Sequence, residues 1–285
     1  MLAELLPYLR CPVCHTGLTG QPRSVRCRHG HSFDLARQGY LNLTAGRTAA
    51  AGDTASMVAA RTWFLASGSF DFLATALAGA AAGYRPDGLV VDAGGGTGYH
   101  LARVLEARPA GLGLTVDASK PALRRAARAH RRAGAVLADT WRELPLRDRA
   151  ATVLLNVFAP RNGPELHRVL APDGVLLVVT PTPTHLAELP AALPPADGLR
   201  LLSVDAGKPE RLAATLRPWF RPAAGTTHTR RLRLRRALVR ALVGMGPSAA
   251  HTDPAALARA VAELPDPFPV TASIQLTPYH PAQAM

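Results

Sequence analysis

Leu89-Val90-Val91-Asp92-Ala93-Gly94-Gly95-Gly96-Thr97-Gly98 is the stretch that decides the fold. Leu89 to Asp92 is a short apolar run closed by an acid, the pattern of a buried strand. The glycines after it accept positive φ and let a ligand approach the main chain without meeting a Cβ. Tyr99 to Glu106 then spaces Leu101, Val104 and Leu105 as one face of a helix. Working outward, Leu112–Asp117 reads as a second strand and Lys120 to Arg132 as a helix. Ala135–Asp139 reads as a third strand, Ala151–Asn156 as a fourth, Pro164–Leu170 as a helix and Gly174–Thr180 as a fifth strand. Strands alternating with helices predict an α/β fold: a parallel, doubly wound, Rossmann-like sheet whose ligand lies beyond the C-terminal ends of the strands.

The glycine spacing separates two ligand classes. A dinucleotide fingerprint needs G-x-G-x-x-G/A, and counting from Gly94 and Gly96 reaches Tyr99. G-x-G-x-G behind a strand-ending acid, Asp92, is instead the pattern of a class I S-adenosylmethionine (SAM) methyltransferase. Gly94 and Gly96 would admit the methionine and ribose of such a cofactor. Asp117, closing the second strand, is placed to accept from both ribose hydroxyls. Asp139, closing the third, is placed to reach the adenine amino group. Each acid alone would also serve as a helix cap; three ending successive strands favour a nucleoside.

A second motif lies at the N-terminus, Cys11-Pro-Val-Cys14 followed by Cys27-Arg-His-Gly-His31. Two cysteines on one tight turn can reach a single ion, and thiolates with an imidazole suit tetrahedral Zn2+. With only three cysteines in the chain, the fourth ligand must be of another type. The C-x₃-H spacing favours His31 over His29, and His15 is too close to Cys14 to turn back. Such a Cys₃His shell is closed and therefore structural. Residues 1–45 hold too few apolar side chains to fold without it.

The loop after the fourth strand, Asn156-Val-Phe158-Ala-Pro160-Arg161-Asn162, faces the expected position of a transferred methyl group. An amide, an aromatic ring and a proline suit the grip of a flat base, so Asn156, Phe158 and Pro160 are the candidate catalytic, base-positioning residues. The 285 residues are 48% hydrophobic and 19% charged, the balance of a globular chain. No apolar run reaches membrane-spanning length, and the N-terminus lacks a signal-peptide pattern. A C-x-x-C in a chain of few cysteines suits a reducing compartment, so the expectation is a cytoplasmic protein without a membrane partner. Net charge is +13, almost all from arginine, since Lys120 and Lys208 are the only lysines. Runs at Arg124–Arg132 and Arg230–Arg236 would attract a polyanion. In a strand, Arg231, Arg233 and Arg235 would share one face, with Leu232 and Leu234 on the other.

At these residues the chain resembles the RlmA/TlrB family of 23S ribosomal RNA (guanine-N1)-methyltransferases, and more closely its actinomycete TlrB branch. The likeness runs through the knuckle, His31-Ser-Phe-Asp34, Ala36-Arg-Gln-Gly39-Tyr40-Leu-Asn42-Leu, Asp53–Arg61, Asp92–Gly98, Leu155–Asn162, Val178–Leu189 and Met245-Gly-Pro-Ser248. It implies a structural zinc on Cys11, Cys14, Cys27 and His31, and SAM contacts from Phe70, Gly96, Thr97 and His185. It also implies a homodimer with a basic cleft for a 23S rRNA hairpin, and a link to tylosin-type macrolide resistance. The expected division is a zinc-binding RNA-recognition module at 1–45, a linker and helix at 46–70, and a methyltransferase domain at 71–285. One departure is Ala249-Ala250-His251, where TlrB-like chains carry a tryptophan before the histidine. Guanine N1 must lose a proton to be methylated, and Asp139, Glu188 and water all remain open as its acceptor. A methyltransferase of a small antibiotic, and an inactive zinc-containing RNA-binding protein, are the competing readings.

Overall fold

Alternation along the central strands builds two cores. Leu89, Val91 and Ala93 enter one buried cluster and Val90 the other; Leu176 and Val178 oppose Val175, Leu177 and Val179 in the same way. Strands apolar on both sides must be covered on both faces, which is what a doubly wound sheet does. The computed structural model describes residues 2–46, 52–196, 198, 199, 201 and 208–282. Residues 47–51 of the expected linker therefore lie outside the described residues.

The chain begins with a short helix α1 (Leu2–Leu5) and an antiparallel three-stranded ribbon, β1 (Leu18–Gly20), β2 (Ser24–Cys27) and β3 (Ser32–Asp34). After β4 (Leu41–Asn42) come the helices α2 (Ala55–Ala66) and α3 (Asp71–Ala82). The alternating core follows: β5 (Leu89–Ala93), α4 (Tyr99–Glu106), β6 (Leu112–Asp117), α5 (Lys120–Ala126), β7 (Ala133–Leu137), β8 (Ala151–Val157), α6 (Gly163–Val169) and β9 (Leu170–Pro181). The C-terminal third supplies α7 (Glu188–Ala192), α8 (Lys208–Leu216), β10 (Phe220–Pro222), β11 (Thr226–Leu234), α9 (Arg236–Gly244), α10 (Pro254–Ala262) and β12 (Phe268–Pro281). Thr54 and Ser119 cap α2 and α5 with their side-chain oxygens.

The large sheet runs β10-β12-β9-β8-β5-β6-β7-β4, with β11 also paired to β12. Strands β4 to β9 of this sheet are parallel, and the order reverses direction between β5 and β8. A ligand site in such a sheet lies at that switch point, and the Asp92–Gly98 stretch leaves β5 there. The sheet is not wholly parallel, as alternation alone had suggested. Strand β12 runs antiparallel to β9, and β10 and β11 run antiparallel to β12. The ribbon does not stand apart either: Leu5, Leu9, Cys11, Val25 and Phe33 share one core with Leu89, Val91, Leu114 and Val136, and Leu41 pairs with Val136 across β4 and β7.

Several boundaries differ from the sequence reading; the fifth strand, for one, starts at Leu170 rather than Gly174. The helix expected to run to Arg132 ends at Ala126, where the amides of Arg128 and Ala129 turn to the carbonyls three residues back (2.9 and 3.1 Å); farther on, Arg132 turns inward to donate to the carbonyls of Arg108 (2.6 Å), Gly111 and Leu105. It thereby satisfies carbonyls at and beyond the end of α4. The third strand spans Ala133–Leu137, so Asp139 sits two residues past it. Arg108, 2% exposed, similarly serves the carbonyls of Ala81 (2.6 Å), in the last turn of α3, and Tyr84 (3.0 Å), just beyond it. No single helix among the described residues is long and apolar enough to cross a membrane.

Candidate functional site

The glycine loop is fixed from two sides. Gly94 and Gly96 hold φ of 77° and 56°, values that strain any residue with a side chain. A Cβ on Gly94 would lie 2.6 Å from the Ala159 methyl, so the 156–162 loop packs directly on this turn. The amide of Gly96 donates to Asp117 (2.9 Å), whose other carboxylate oxygen accepts from the Ser119 amide (2.7 Å). Burial raises the pKa of Asp117 against the pull of these amides. The Ser119 hydroxyl donates to the Asp53 carbonyl (2.7 Å), laying the segment before α2 across the end of β6.

Asp92 is 1% exposed, and neither carboxylate oxygen has a hydrogen-bond partner among the described residues. Burial, with help from the nearby Asp117, pushes its pKa up to about 7. An orphaned buried acid beneath a glycine cradle is the signature of a site shaped for a ligand with its own donors. Thr97 is buried in the same turn. Arg61 on α2 pairs with Asp53, donates to the Met245 carbonyl (2.8 Å) and lies against Gly96. The Asp53–Arg61 and Met245–Ser248 segments therefore meet at the loop, which sequence spacing could not reveal.

At the adjoining strand ends an aromatic row assembles from distant segments. Phe70, buried at the N-cap of α3, stands edge-on to Phe64 (5.0 Å, 85°) and lies 6.2 Å from the His185 ring. Phe158 lies 5.8 Å from His185, tilted by 36°, and is 45% exposed. His185 occupies the turn before α7, which starts at Glu188. Its Nδ1 accepts from the Ser273 amide (3.1 Å), and burial lowers its pKa to about 4. The ring is therefore neutral at pH 7 with its proton on Nε2. Phe158 adopts φ 53°, an uncommon conformation for a bulky residue and one tied to functional loops. The loop is braced by Asn156, fully buried, whose Nδ2 donates to the Pro160 carbonyl (2.8 Å) while Oδ1 has no hydrogen-bond partner among the described residues.

Asp139 lies farther along the same edge, accepting from the Trp141 amide (2.9 Å) and 3.4 Å from the Arg142 guanidinium. Glu188 points elsewhere, accepting from the Thr271 amide (3.0 Å). Strand β11 sets Leu232 and Leu234 opposite Val270 and Phe268, and Arg231 and Arg233 opposite Thr271 and Pro269. Arg231 and Arg233 are exposed, as alternation predicts. Arg235 is not on that strand face; the strand ends at Leu234 and Arg235 caps α9. Arg230 lies over the Phe72 ring (6.0 Å), beside Phe70, so the middle of the basic strand passes next to the aromatic row.

The ribbon gathers Cys11, Cys14, Cys27 and His31, with all ligand atoms within 4.8 Å of one another. Cys14 Sγ lies 3.6 Å from Cys27 Sγ, and His31 Nδ1 lies 3.3 and 3.6 Å from Cys27 and Cys11. Tetrahedral zinc with bonds of about 2.3 Å to sulfur sets its ligands about 3.8 Å apart, somewhat less for nitrogen. The donor set and its spacing fit that ion. His29 instead accepts from Arg28 (3.0 Å), and His15 pairs with Glu143 (3.2 Å).

The chain's relatives agree with this geometry. The family model described as RlmA, N-terminal, a zinc ribbon, matches residues 9–45. A Micromonospora griseorubida protein named "Putative 23S rRNA (guanine-N(1)-)-methyltransferase" is 55% identical, over 99% of this chain and 100% of its own length. The 23S rRNA (guanine(748)-N(1))-methyltransferase of Streptomyces fradiae is 50% identical over 99% of each chain.

Asp92 gives a pH signature. Between an unfolded pKa near 4 and a folded pKa of about 7, the folded state holds a proton that the unfolded chain releases. Stability therefore falls as pH rises through that window. Asp92→Asn is expected to be more stable than the parent at pH 8, by a few kcal/mol at most, with the gap closing toward pH 4. Urea unfolding at several pH values measures it, and a gap independent of pH would show that the acid is not held in this state.

Proposed function

Because the chain belongs to the RlmA/TlrB family of 23S rRNA (guanine-N1)-methyltransferases, we propose that it methylates N1 of a guanine in a 23S rRNA hairpin, with SAM as donor and one structural zinc. The observation that carries the reading is the orphaned Asp92 carboxylate beneath a glycine turn that Asp117 holds open, with an exposed aromatic at the neighbouring strand end. The Cys₃His ribbon favours it over a small-molecule methyltransferase, and the intact loop favours it over an inactive RNA-binding protein.

The cofactor, when bound, supplies an electrophilic methyl group on a sulfonium. Asp92, Gly94, Gly96 and Thr97 would hold its amino-acid end and sugar, Asp117 the ribose hydroxyls and Asp139 the adenine. Phe70 and His185 wall the same end, and the neutral imidazole offers Nε2–H as a donor. Phe158 would stack on the extruded guanine, while Asn156 and Pro160 keep that loop rigid so that N1 is held in line. Glu188 is engaged by Thr271 and Asp139 by Trp141 and Arg142, which leaves water as the least encumbered acceptor of the N1 proton. Cys11, Cys14, Cys27 and His31 would hold zinc in a closed shell, without a chemical role. The reading includes three divisions (a ribbon at 1–45, a connecting segment at 46–70 and the methyltransferase at 71–285), a homodimer, a cytoplasmic location and macrolide resistance. These rest on the family resemblance.

Reverse transcription across 23S rRNA tests the function, since N1-methylguanine blocks Watson–Crick pairing. A new stop is expected in RNA treated with parent protein and SAM. Asp117→Ala is expected to weaken SAM binding roughly ten- to hundredfold, from the loss of hydrogen bonds to a charged group. No stop with the parent would overturn the reading; unchanged cofactor affinity would remove Asp117 from the site.

Cys11→Ser is expected to lose the zinc, with one ion per chain in the parent, and to unfold at lower temperature. Equal metal content in the two proteins would exclude the site.

RNA binding is expected to depend steeply on salt, and Arg231→Gln with Arg233→Gln to flatten log affinity against log salt by nearly two units. Titration of a 23S hairpin fragment at several salt concentrations checks it. An identical slope would assign these arginines to protection of an edge strand.

A further inference from the structure

Trp141 is 61% exposed, although a ring of its size is normally drawn into a core. Its backbone is held firmly. The amide donates to Asp139 (2.9 Å), and the Asn162 side chain donates to the carbonyls of both Trp141 and Arg142 (3.0 Å each). On the far side Glu143 is paired with Arg10 and His15 of the ribbon, and the Leu144 amide donates to Glu165 (2.8 Å). The ring is thus presented to solvent by a loop clamped between the ribbon and the sheet.

Its place in the fold suggests the occupant. Trp141 follows β7 and Phe158 follows β8, so both exposed rings stand at the C-terminal edge of the sheet. Asn162, from the Phe158 loop, clasps the Trp141 loop directly. The Arg142 side chain beside it is largely exposed, a cation suited to a phosphate. An aromatic face next to a cation on a pre-set backbone suits a nucleobase and its phosphodiester, because every base offers a π face. We propose that Trp141 is a stacking platform for an unpaired nucleobase of the RNA substrate, adjacent to the guanine held at Phe158. The proposal rests on the rRNA methyltransferase reading and adds a specific RNA contact to it.

The test compares the full-length parent with Trp141→Ala and Trp141→Phe, using a 23S rRNA hairpin fragment and, separately, S-adenosylhomocysteine. Trp141→Ala is expected to weaken RNA binding roughly ten- to hundredfold, with Trp141→Phe restoring most of it. Cofactor affinity and sedimentation are expected to stay unchanged in both. RNA should quench indole emission in the parent, and Trp141→Phe should lose that quench while Trp63 and Trp219 remain. Unchanged RNA affinity in Trp141→Ala overturns the proposal while leaving the function intact. Weaker cofactor binding would move the ring onto the adenine, and a changed sedimentation mass would move it into a subunit interface; either also overturns it. A parent that does not bind the hairpin overturns the rRNA reading itself.

Discussion

Two backbone amides converge on one carboxylate, and the site is organised around that point. Asp117 accepts from Gly96 on the glycine turn and from Ser119 at the cap of α5, so the ends of β5 and β6 cannot drift apart. Ser119 carries the restraint on to Asp53, and Arg61 extends it to Met245. Segments nearly 200 residues apart in the chain thus share one anchor. Burial makes the anchor strong, because charge-assisted hydrogen bonds gain as water is excluded. Asp92, buried nearby, has no such partner among the described residues, and in the proposed function the cofactor would supply one.

The ribbon is part of the same construction. Its first ligand, Cys11, follows Arg10, whose amide donates to Pro145 (3.1 Å), while Leu9 bridges to Leu146. Arg168 holds the same segment from below through the carbonyls of Leu144 (2.9 Å) and Leu146 (2.8 Å). The loop from Asp139 to Asp148 is therefore positioned jointly by the ribbon and by α6. Under the proposed zinc assignment, a Cys₃His shell holding the ribbon would also steady the loop that carries Asp139 and Trp141.

The arginine excess divides into structural and surface roles. Arg108, Arg132 and Arg168 serve carbonyls at turns and helix ends, where a planar fork of donors satisfies several acceptors at once. Arg231 and Arg233 stay in solvent because their strand neighbours Leu232 and Leu234 take the core face. Net charge alone does not distinguish these roles, and the run at 124–132 loses Arg132 to the first of them.

Period and residue chemistry made much of this protein legible in its sequence. Apolar runs of strand length, separated by helical spacing, fixed the central α/β order, because strands buried on two faces leave no room for polar residues. The glycine-acid pattern picked out the turn that leaves β5 at the switch point of the sheet, and Cys-x-x-Cys with Cys-x₃-His named four side chains that the structure brings together. Only tertiary structure decided the rest. The antiparallel β10–β12 extension and the entry of β4 into the main sheet depend on long-range pairing, which has no local period. The Phe70–His185–Phe158 row and the Arg61 contact join residues whose separations carry no signal. Trp141 went unread for the same reason: its exposure is a property of the packed loop, and sequence alone would place a tryptophan inside.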